Sequence, residues 1–441
     1  MKKAKKIILI NLILILLLAP LASDLLFLVG LPNYCQIIEG NEEELEVRLP
    51  FMVSVSSKQE GSLKVNGSKI TTQGLDVNLT EPLALQASSV GRYNLKFKLF
   101  GIIPLQRMIV NVMPEVKVMP GGQAIGVTLK SDGIMVVRDS YVEQENGTKV
   151  YPAQEAGIQV GDSLLEVNGV EIKSKHHLAR LIHQSGKRGE ELELKIRRRD
   201  ASIVFKEAMP VEDKSGYYML GIYVDDGASG VGTMSFYESE EGYYGALGHM
   251  ITEDSSQLKI DVGKGEIVRA NISGINQSSQ GLPGEKLGTF LREQEILGNI
   301  MKNNNFGIYG KLSIQPEHPH FEKPIPIASV FEIEEGSAKM YTVIEGGEIE
   351  EFEVEIEKVM KQYRPSEKGL VIRIVDQELL EKSGGIVQGM SGSPIVQNGK
   401  LAGAVTHVFL NDSTRGYGIL AQWMVMETET LKKQNTREFA S

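Results

Sequence analysis

A serine held between glycines, Gly389-Met390-Ser391-Gly392-Ser393-Pro394, restricts this chain more than any other stretch of it. Small neighbours let a serine hydroxyl stand exposed on a tight turn, where a bulkier residue would block an approaching carbonyl group. The same turn can aim the amides of Gly389 and Ser391 at one point, the arrangement that stabilises an oxyanion. The residues immediately downstream are equally informative. Pro394-Ile395-Val396-Gln397 and Lys400-Leu401-Ala402-Gly403-Ala404-Val405-Thr406-His407 are apolar runs joined by Asn398-Gly399. They predict a β-hairpin closed by a two-residue primed turn.

From Met209 onward the chain is a series of short glycine-bounded runs: Leu220–Val224, Gly230–Phe236 and Tyr243–Gly248. Many short strands with glycine corners and a late serine turn predict a double β-barrel. Leu287–Lys302 reads as the one longer helical stretch, with Glu350–Lys361 as a second candidate. A nucleophile turn that feeds a hairpin resembles the trypsin-like double-barrel proteases. Tyr244-Gly245-Ala246-Leu247-Gly248-His249, the run Gly384–Pro394 and Ala404–Asp412 narrow the resemblance. They are similar to the sporulation stage IV B family, serine peptidases of endospore-forming bacteria. That resemblance runs from about Pro114 to the end and includes the membrane segment. It implies an amino-terminal membrane segment, a PDZ domain and a trypsin-like catalytic domain.

Roles can be assigned on chemistry. Ser391 is the candidate nucleophile, and a serine hydroxyl needs an adjacent base. His249, after Gly248, stands where trypsin-like domains keep theirs. Ser393 is a rival nucleophile, disfavoured because Pro394 locks its geometry, and His407 is a rival base. His318 and His320 read as a loop feature rather than a metal pair. The family resemblance implies Asp376, within Val375-Asp376-Gln377, as the acid that orients the imidazole. Asp376 lies unusually close to the serine for that role. Asp254, Asp261 or a backbone carbonyl could serve instead, and Asp376 could cap the turn that begins at Glu378.

Upstream, residues 114–208 read as a PDZ domain. Ala156–Gly169 is the strand-turn string of bacterial protease PDZ domains, and Lys175–Ser185 reads as the groove helix. Ile125, Gly126 and Val127 resemble the loop whose amides cradle a chain-terminal carboxylate. Residues 37–113 alternate apolar and polar and predict a small β-sandwich-like domain. Residues 1–36 hold four lysines and an apolar run, Ile7–Ser23, then Leu25–Leu31 after Asp24. They predict an uncleaved signal anchor with the rest of the chain exported. The fold class is therefore mainly β and multidomain: transmembrane helix, small β domain, PDZ domain and double barrel, with the peptidase domain at 209–441.

Composition removes other classes. With 47 basic and 57 acidic residues, net −10, the chain has no nucleic-acid footprint. Arg197-Arg198-Arg199 reads as a solvated strand end. The single cysteine, Cys35, excludes an intramolecular disulfide and a zinc-cysteine cluster, and no cofactor or metal is implied. Two function classes remain: a membrane-tethered serine endopeptidase, or a PDZ scaffold carrying an inactive protease-like domain. Intact His249 and Ser391 motifs favour the enzyme. The family resemblance implies self-cleavage and a cut in a membrane-bound regulator of an intramembrane metalloprotease, in the space around the forespore, leading to sigma-factor maturation.

Overall fold

Strict alternation between Glu43 and Val112 gives each strand one apolar face, and two such faces must cover each other. In the computed structural model, which describes residues 31–47, 52–59, 62–253, 255–279, 281–289 and 296–438, a five-stranded and a four-stranded sheet do so. Leu45, Val55, Leu85, Leu95, Phe97 and Val110 fill the space between them. The expected sandwich is present. The expected transmembrane segment falls outside the described residues, among which no helix is long and apolar enough to cross a membrane.

The next element differs from the expected one. Ala124–Asp139 is one sixteen-residue strand, here the entry strand. Ile125, Gly126 and Val127 sit inside a sheet, paired with Gly232, Val231 and Gly230 on one side and with Arg269, Val268 and Ile267 on the other. Their amides are committed to ladders, so they are not a carboxylate-binding loop. The apolar Ala-Ile-Gly-Val string is a barrel strand buried on both edges. Its partner, Ile222–Tyr237, is equally long and is here the return strand.

These two strands belong to both domains. Residues 124–130 and 227–233 pair inside a barrel, whereas 135–139 and 222–225 pair beyond a break at Lys130/Met135. Past that break the entry strand also pairs with Ser163–Val167, which pairs with Leu192–Arg197. This second part is the PDZ body, with a core of Val136, Leu164, Leu178, Ile182 and Leu194. The PDZ domain is thus inserted between the first two strands of the barrel, and the barrel starts upstream of the boundary expected at residue 209.

Within the PDZ body the groove helix runs Lys175–Arg188, capped by Ser174, whose hydroxyl accepts from His177 N, and ended by left-handed Gly189. Of Arg197–Arg199 only Arg199 is exposed, and all three are held by the protein. Arg197 pairs with Asp132, Arg198 clamps buried Asp162, and Arg199 donates to the Val160 carbonyl.

The first barrel continues from the return strand to Tyr243–Ala246 and then Gly307–Lys311, and a Gly298–Leu312 bridge helps to close it. Where helices were expected there are strands. Glu285–Thr289, Ile296–Asn299 and Lys302–Asn304 occupy the described part of 287–302, and Glu350–Val359 is a ten-residue strand. The second barrel is closed and contains Gly336–Thr342, Glu350–Val359, Leu370–Ile374, Asp412–Leu420, Lys400–Phe409 and Pro394–Gln397. The helix Ala421–Glu438 comes after it, with Trp423 fully buried.

Candidate active site

The strand Tyr243–Ala246 ends in two left-handed residues, Leu247 (φ +68°) and Gly248 (φ +73°), which swing His249 toward the other barrel. A Cβ on Gly248 would stand 2.8 Å from Thr406 Cγ2 and 3.0 Å from Ile419 Cγ2, so only glycine allows so close an approach. His249 Nδ1 lies 2.9 Å from the Met250 carbonyl. A carbonyl has no proton to give, so Nδ1 donates and Nε2 keeps its lone pair. Burial lowers the His249 pKa, and no carboxylate is among the groups that shift it. The imidazole is therefore a neutral base with a fixed tautomer. The His407 ring lies 5.1 Å away, its own pKa lowered by burial and by His249.

Ser391 arrives from the second barrel. Gly389 (φ +92°) and Gly392 (φ +95°) form the turn around it. A Cβ on Gly392 would fall 2.0 Å from the Thr233 carbonyl and 2.6 Å from Leu247 N, so this turn is pressed against the first barrel. Thr233, on the return strand, holds it there: its N–H donates to Ser391 O (3.0 Å) and its hydroxyl to Gly389 O (2.7 Å).

These bonds and two more set the orientation of two amides. In a trans peptide the N–H points opposite the carbonyl. Gln388 O accepts from Lys286 N (2.9 Å) and Met390 O from Ser393 N (2.9 Å), which fixes the N–H groups of Gly389 and Ser391. Among the described residues neither N–H has an acceptor, so both remain available to an oxyanion. The Ser391 hydroxyl donates to the Thr406 carbonyl (2.7 Å). Rotation about its side-chain torsion to another staggered position frees the hydroxyl from that carbonyl.

A cavity of about 850 Å³ contains these groups. Its walls are Ala228–Val231 of the return strand, Leu247 and His249–Thr252, Ile386–Gly389 with Ser391, and Thr406–Val408. The apolar lining and extended edges suit a polypeptide side chain.

Asp376 is elsewhere. Its carboxylate accepts from Leu379 N (3.0 Å) and Glu353 N (3.3 Å), capping the helix Gln377–Ser383. It lines no wall of the cavity and makes no hydrogen bond to His249, whose Nδ1 already has the Met250 carbonyl. The structure thus favours the carbonyl among the orienting groups open to sequence reasoning. Asp261 is exposed beside Lys259 and Arg197, and Asp254 lies outside the described residues. Ser393 is fully buried, with its hydroxyl on Thr342 Oγ1 (2.9 Å), and His407 lines the cavity with its ring partly covered. His318 donates from Nε2 to Gly121 O, and its Nδ1 accepts from His320 N.

One residue was invisible to sequence reasoning. Lys286 is 5 % exposed, and its Nζ donates to Thr342 Oγ1 (2.7 Å), the hydroxyl that Ser393 also reaches. Its stem lies under Gly389, where a Cβ would come within 3.1–3.3 Å of the lysine carbons. Burial pushes its pKa down to about 7.

Residues 216–425 match the family model described as SpoIVB peptidase S55. Residues 216–425 are an S55 peptidase domain of the SpoIVB type. Residues 147–198 match a PDZ domain, so the family's catalytic module accompanies a PDZ domain here, and the carboxy-terminal part is a serine peptidase. The matched range includes His249, Asp376 and Ser391 but not the entry strand, although that strand completes the same barrel. Among solved structures, the active form of the Rv3671c protease from M. tuberculosis is 13% identical with a TM-score of 0.25, over 45% of this chain and 72% of that one. The inactive form of the Rv3671c protease is 13% identical with a TM-score of 0.24, over 45% and 83%.

The PDZ edge also has a place. The groove helix packs against Tyr218–Met219 and the start of the return strand, and Lys175 reaches Asp225 (3.2 Å) across the gap. The left-handed Gly221 (φ +73°) precedes Ile222 there. The edge beside the helix therefore begins at Gly221-Ile222, not at Ile125–Val127.

Proposed function

We propose that this serine peptidase is tethered to a membrane by its amino-terminal apolar segment and works on the exported side. It cleaves itself and a membrane-bound regulatory protein that controls an intramembrane metalloprotease, and so starts sigma-factor maturation during endospore formation. Ser391 is the nucleophile and His249 the base. The Gly389 and Ser391 amides form the oxyanion hole, and the Met250 carbonyl orients the imidazole. The PDZ edge at Gly221-Ile222 takes a chain terminus or an added strand, from the substrate or from a second copy.

The observation that carries this reading is that two acceptor-free amides and a neutral, tautomer-fixed histidine line one cavity. The SpoIVB family match and the lysine-flanked apolar start of the sequence support the setting. A fluorophosphonate probe should label the purified chain at Ser391. Ser391→Ala and His249→Ala should each lose about 10⁶ in turnover and stop processing themselves. A Ser391→Ala protein that still cuts itself in the absence of other proteases would overturn the assignment.

A further inference from the structure

The β-sandwich carries a hairpin tip that neither catalysis nor the PDZ edge uses. In the strand Gly91–Leu99, Tyr93, Leu95 and Phe97 are buried, which leaves Lys96 and Lys98 on the outer face. The partner strand Ile103–Met113 sets exposed Arg107 opposite Lys96. Phe100 (φ +51°) and Gly101 (φ +72°) turn the chain between them, and Ile102 N donates to the Leu99 carbonyl (3.1 Å). This is a primed turn, whose first position ordinarily takes Asn, Asp or Gly because larger side chains are strained at positive φ. Here it holds a phenylalanine.

That phenylalanine is 73% exposed, Ile102 is 80% exposed and Ile103 is 51% exposed. Met52, 54% exposed, adds to the patch, because its neighbour Val53 pairs with Leu99. Large apolar side chains thus gather uncovered at one end of the sandwich, with a basic collar behind them. Among the described residues Lys96, Lys98 and Arg107 have no carboxylate partner. The acidic Asp76 stands across Ser54, two strands from Lys98.

The chain from the amino terminus enters at this same end. Tyr34–Ile38 runs parallel to Ile103–Met113, with Tyr34 opposite Ile109. Gln106 Nε2 donates to the Leu31 carbonyl (3.3 Å), and Ile109 N donates to the Asn33 carbonyl (3.0 Å). Leu31 is where the sequence's apolar run ends. It stands beside Gln106, only about 10 Å along the strand from Ile103 at ordinary strand rise.

We propose that the Phe100–Ile103 tip is a membrane-docking finger. It enters the headgroup–acyl boundary of the bilayer next to the amino-terminal anchor, while Lys96, Lys98 and Arg107 meet anionic headgroups. Apolar side chains backed by basic ones suit that interface. A lone anchor would leave the sandwich free to swivel; a second contact beside it fixes the tilt and height of the domains beyond. The inference rests on the reading of the apolar start as an anchor.

The test uses the full chain with Phe100→Trp, reconstituted with phosphatidylcholine–phosphatidylglycerol vesicles whose acyl chains are brominated near the headgroup. Flotation reports the anchor, and bromine quenching of the added tryptophan reports the finger. The native Trp423 is fully buried, so the parent protein supplies the background. About half or more of the added emission should be lost to bromine, as for a side chain at the acyl boundary. Lys98→Glu in the same chain should reduce that loss. An Ile102→Trp protein should behave like Phe100→Trp and guards against a local effect of one substitution. A chain that floats with unquenched tryptophan at both positions overturns the finger and leaves the anchor standing. A chain that does not float overturns both. Shielding from acrylamide before any lipid is added would assign the tip to a second copy instead and also overturn the proposal.

Discussion

The ring of His249 takes its orientation from a main-chain carbonyl and its neutrality from burial. A carbonyl fixes the tautomer but supplies less compensation than a carboxylate for the imidazolium formed during reaction. Because burial lowers the histidine pKa, the neutral base persists to lower pH. The acid limb of kcat/KM should therefore fall below the ordinary histidine value of about 6.5, measured on a small peptide across pH 4.5–8 (roughly, within the limits of the fold). A limb above that range would mean a partner carboxylate raises the pKa. Asp376 gives a second prediction. Asparagine can cap a helix as aspartate does, whereas alanine cannot, at about 1 kcal/mol. Asp376→Asn should keep most turnover and stability, while Asp376→Ala should lower the denaturation midpoint. Equal collapse of turnover in both variants would restore the acid to the triad. Lys286 yields a third. Its folded pKa of about 7 lies below the unfolded value, so the unfolded chain binds more protons between them and stability should rise with pH from about 7 to about 10. Lys286→Met should remove that slope, read as the difference in urea midpoints between pH 7 and 9.5 (about the span of the shift). The turns that place Ser391 and His249 were legible because glycine turns are local signals. Lys286 was not, since Glu285-Lys286 in a short strand reads as solvent-facing and only the strand pairing to Gln388 sends it inward.

Hairpins with self-sufficient turns were the elements that could be read directly. Asn398 (φ +51°) and Gly399 (φ +74°) adopt the left-handed pair that the sequence demands, and they set the strand behind Ser391. The segment 287–302 failed for a reason visible in its glycines. Gly288 packs where a Cβ would be 2.7 Å from Val231 Cγ2, and Gly298 where one would be 2.5 Å from the Lys311 carbonyl. These are close strand approaches, and a helical apolar spacing could not express them. The Ala124–Val127 string failed for the opposite reason: short apolar-glycine sequences suit a loop or a doubly paired strand, and pairing to residues far along the chain decides between them. At the hairpin tip, Phe100→Asn should relieve the left-handed strain and stabilise the fold by up to about 1 kcal/mol, seen as a higher urea midpoint. No gain would mean that the ring is packed in a way its exposure conceals.

At the scale of the whole molecule, the order of modules was readable from sequence but their nesting was not. The PDZ motifs and the catalytic motifs occupy separate stretches, and only the register of two long strands places one inside the other. Lys130 and Gly227 face each other in that ladder. Replacing residues 131–226 by Asn-Gly should therefore close a short hairpin, retain a folded barrel and keep hydrolysis of a small peptide. A chain begun at residue 209 lacks the entry strand and should neither fold nor label with fluorophosphonate. The reverse pattern would disprove the nesting. The same topology sets a timetable for folding. Joining 124–130 to 227–233 through a floppy connection of roughly a hundred residues would cost on the order of 4 kcal/mol in chain entropy. The intervening module, once folded, already holds both strands together at Val136 and Val224. Catalytic competence must then wait for that module, and for the Ser391 turn that arrives last, so a chain still leaving the ribosome is a peptidase that cannot yet cut.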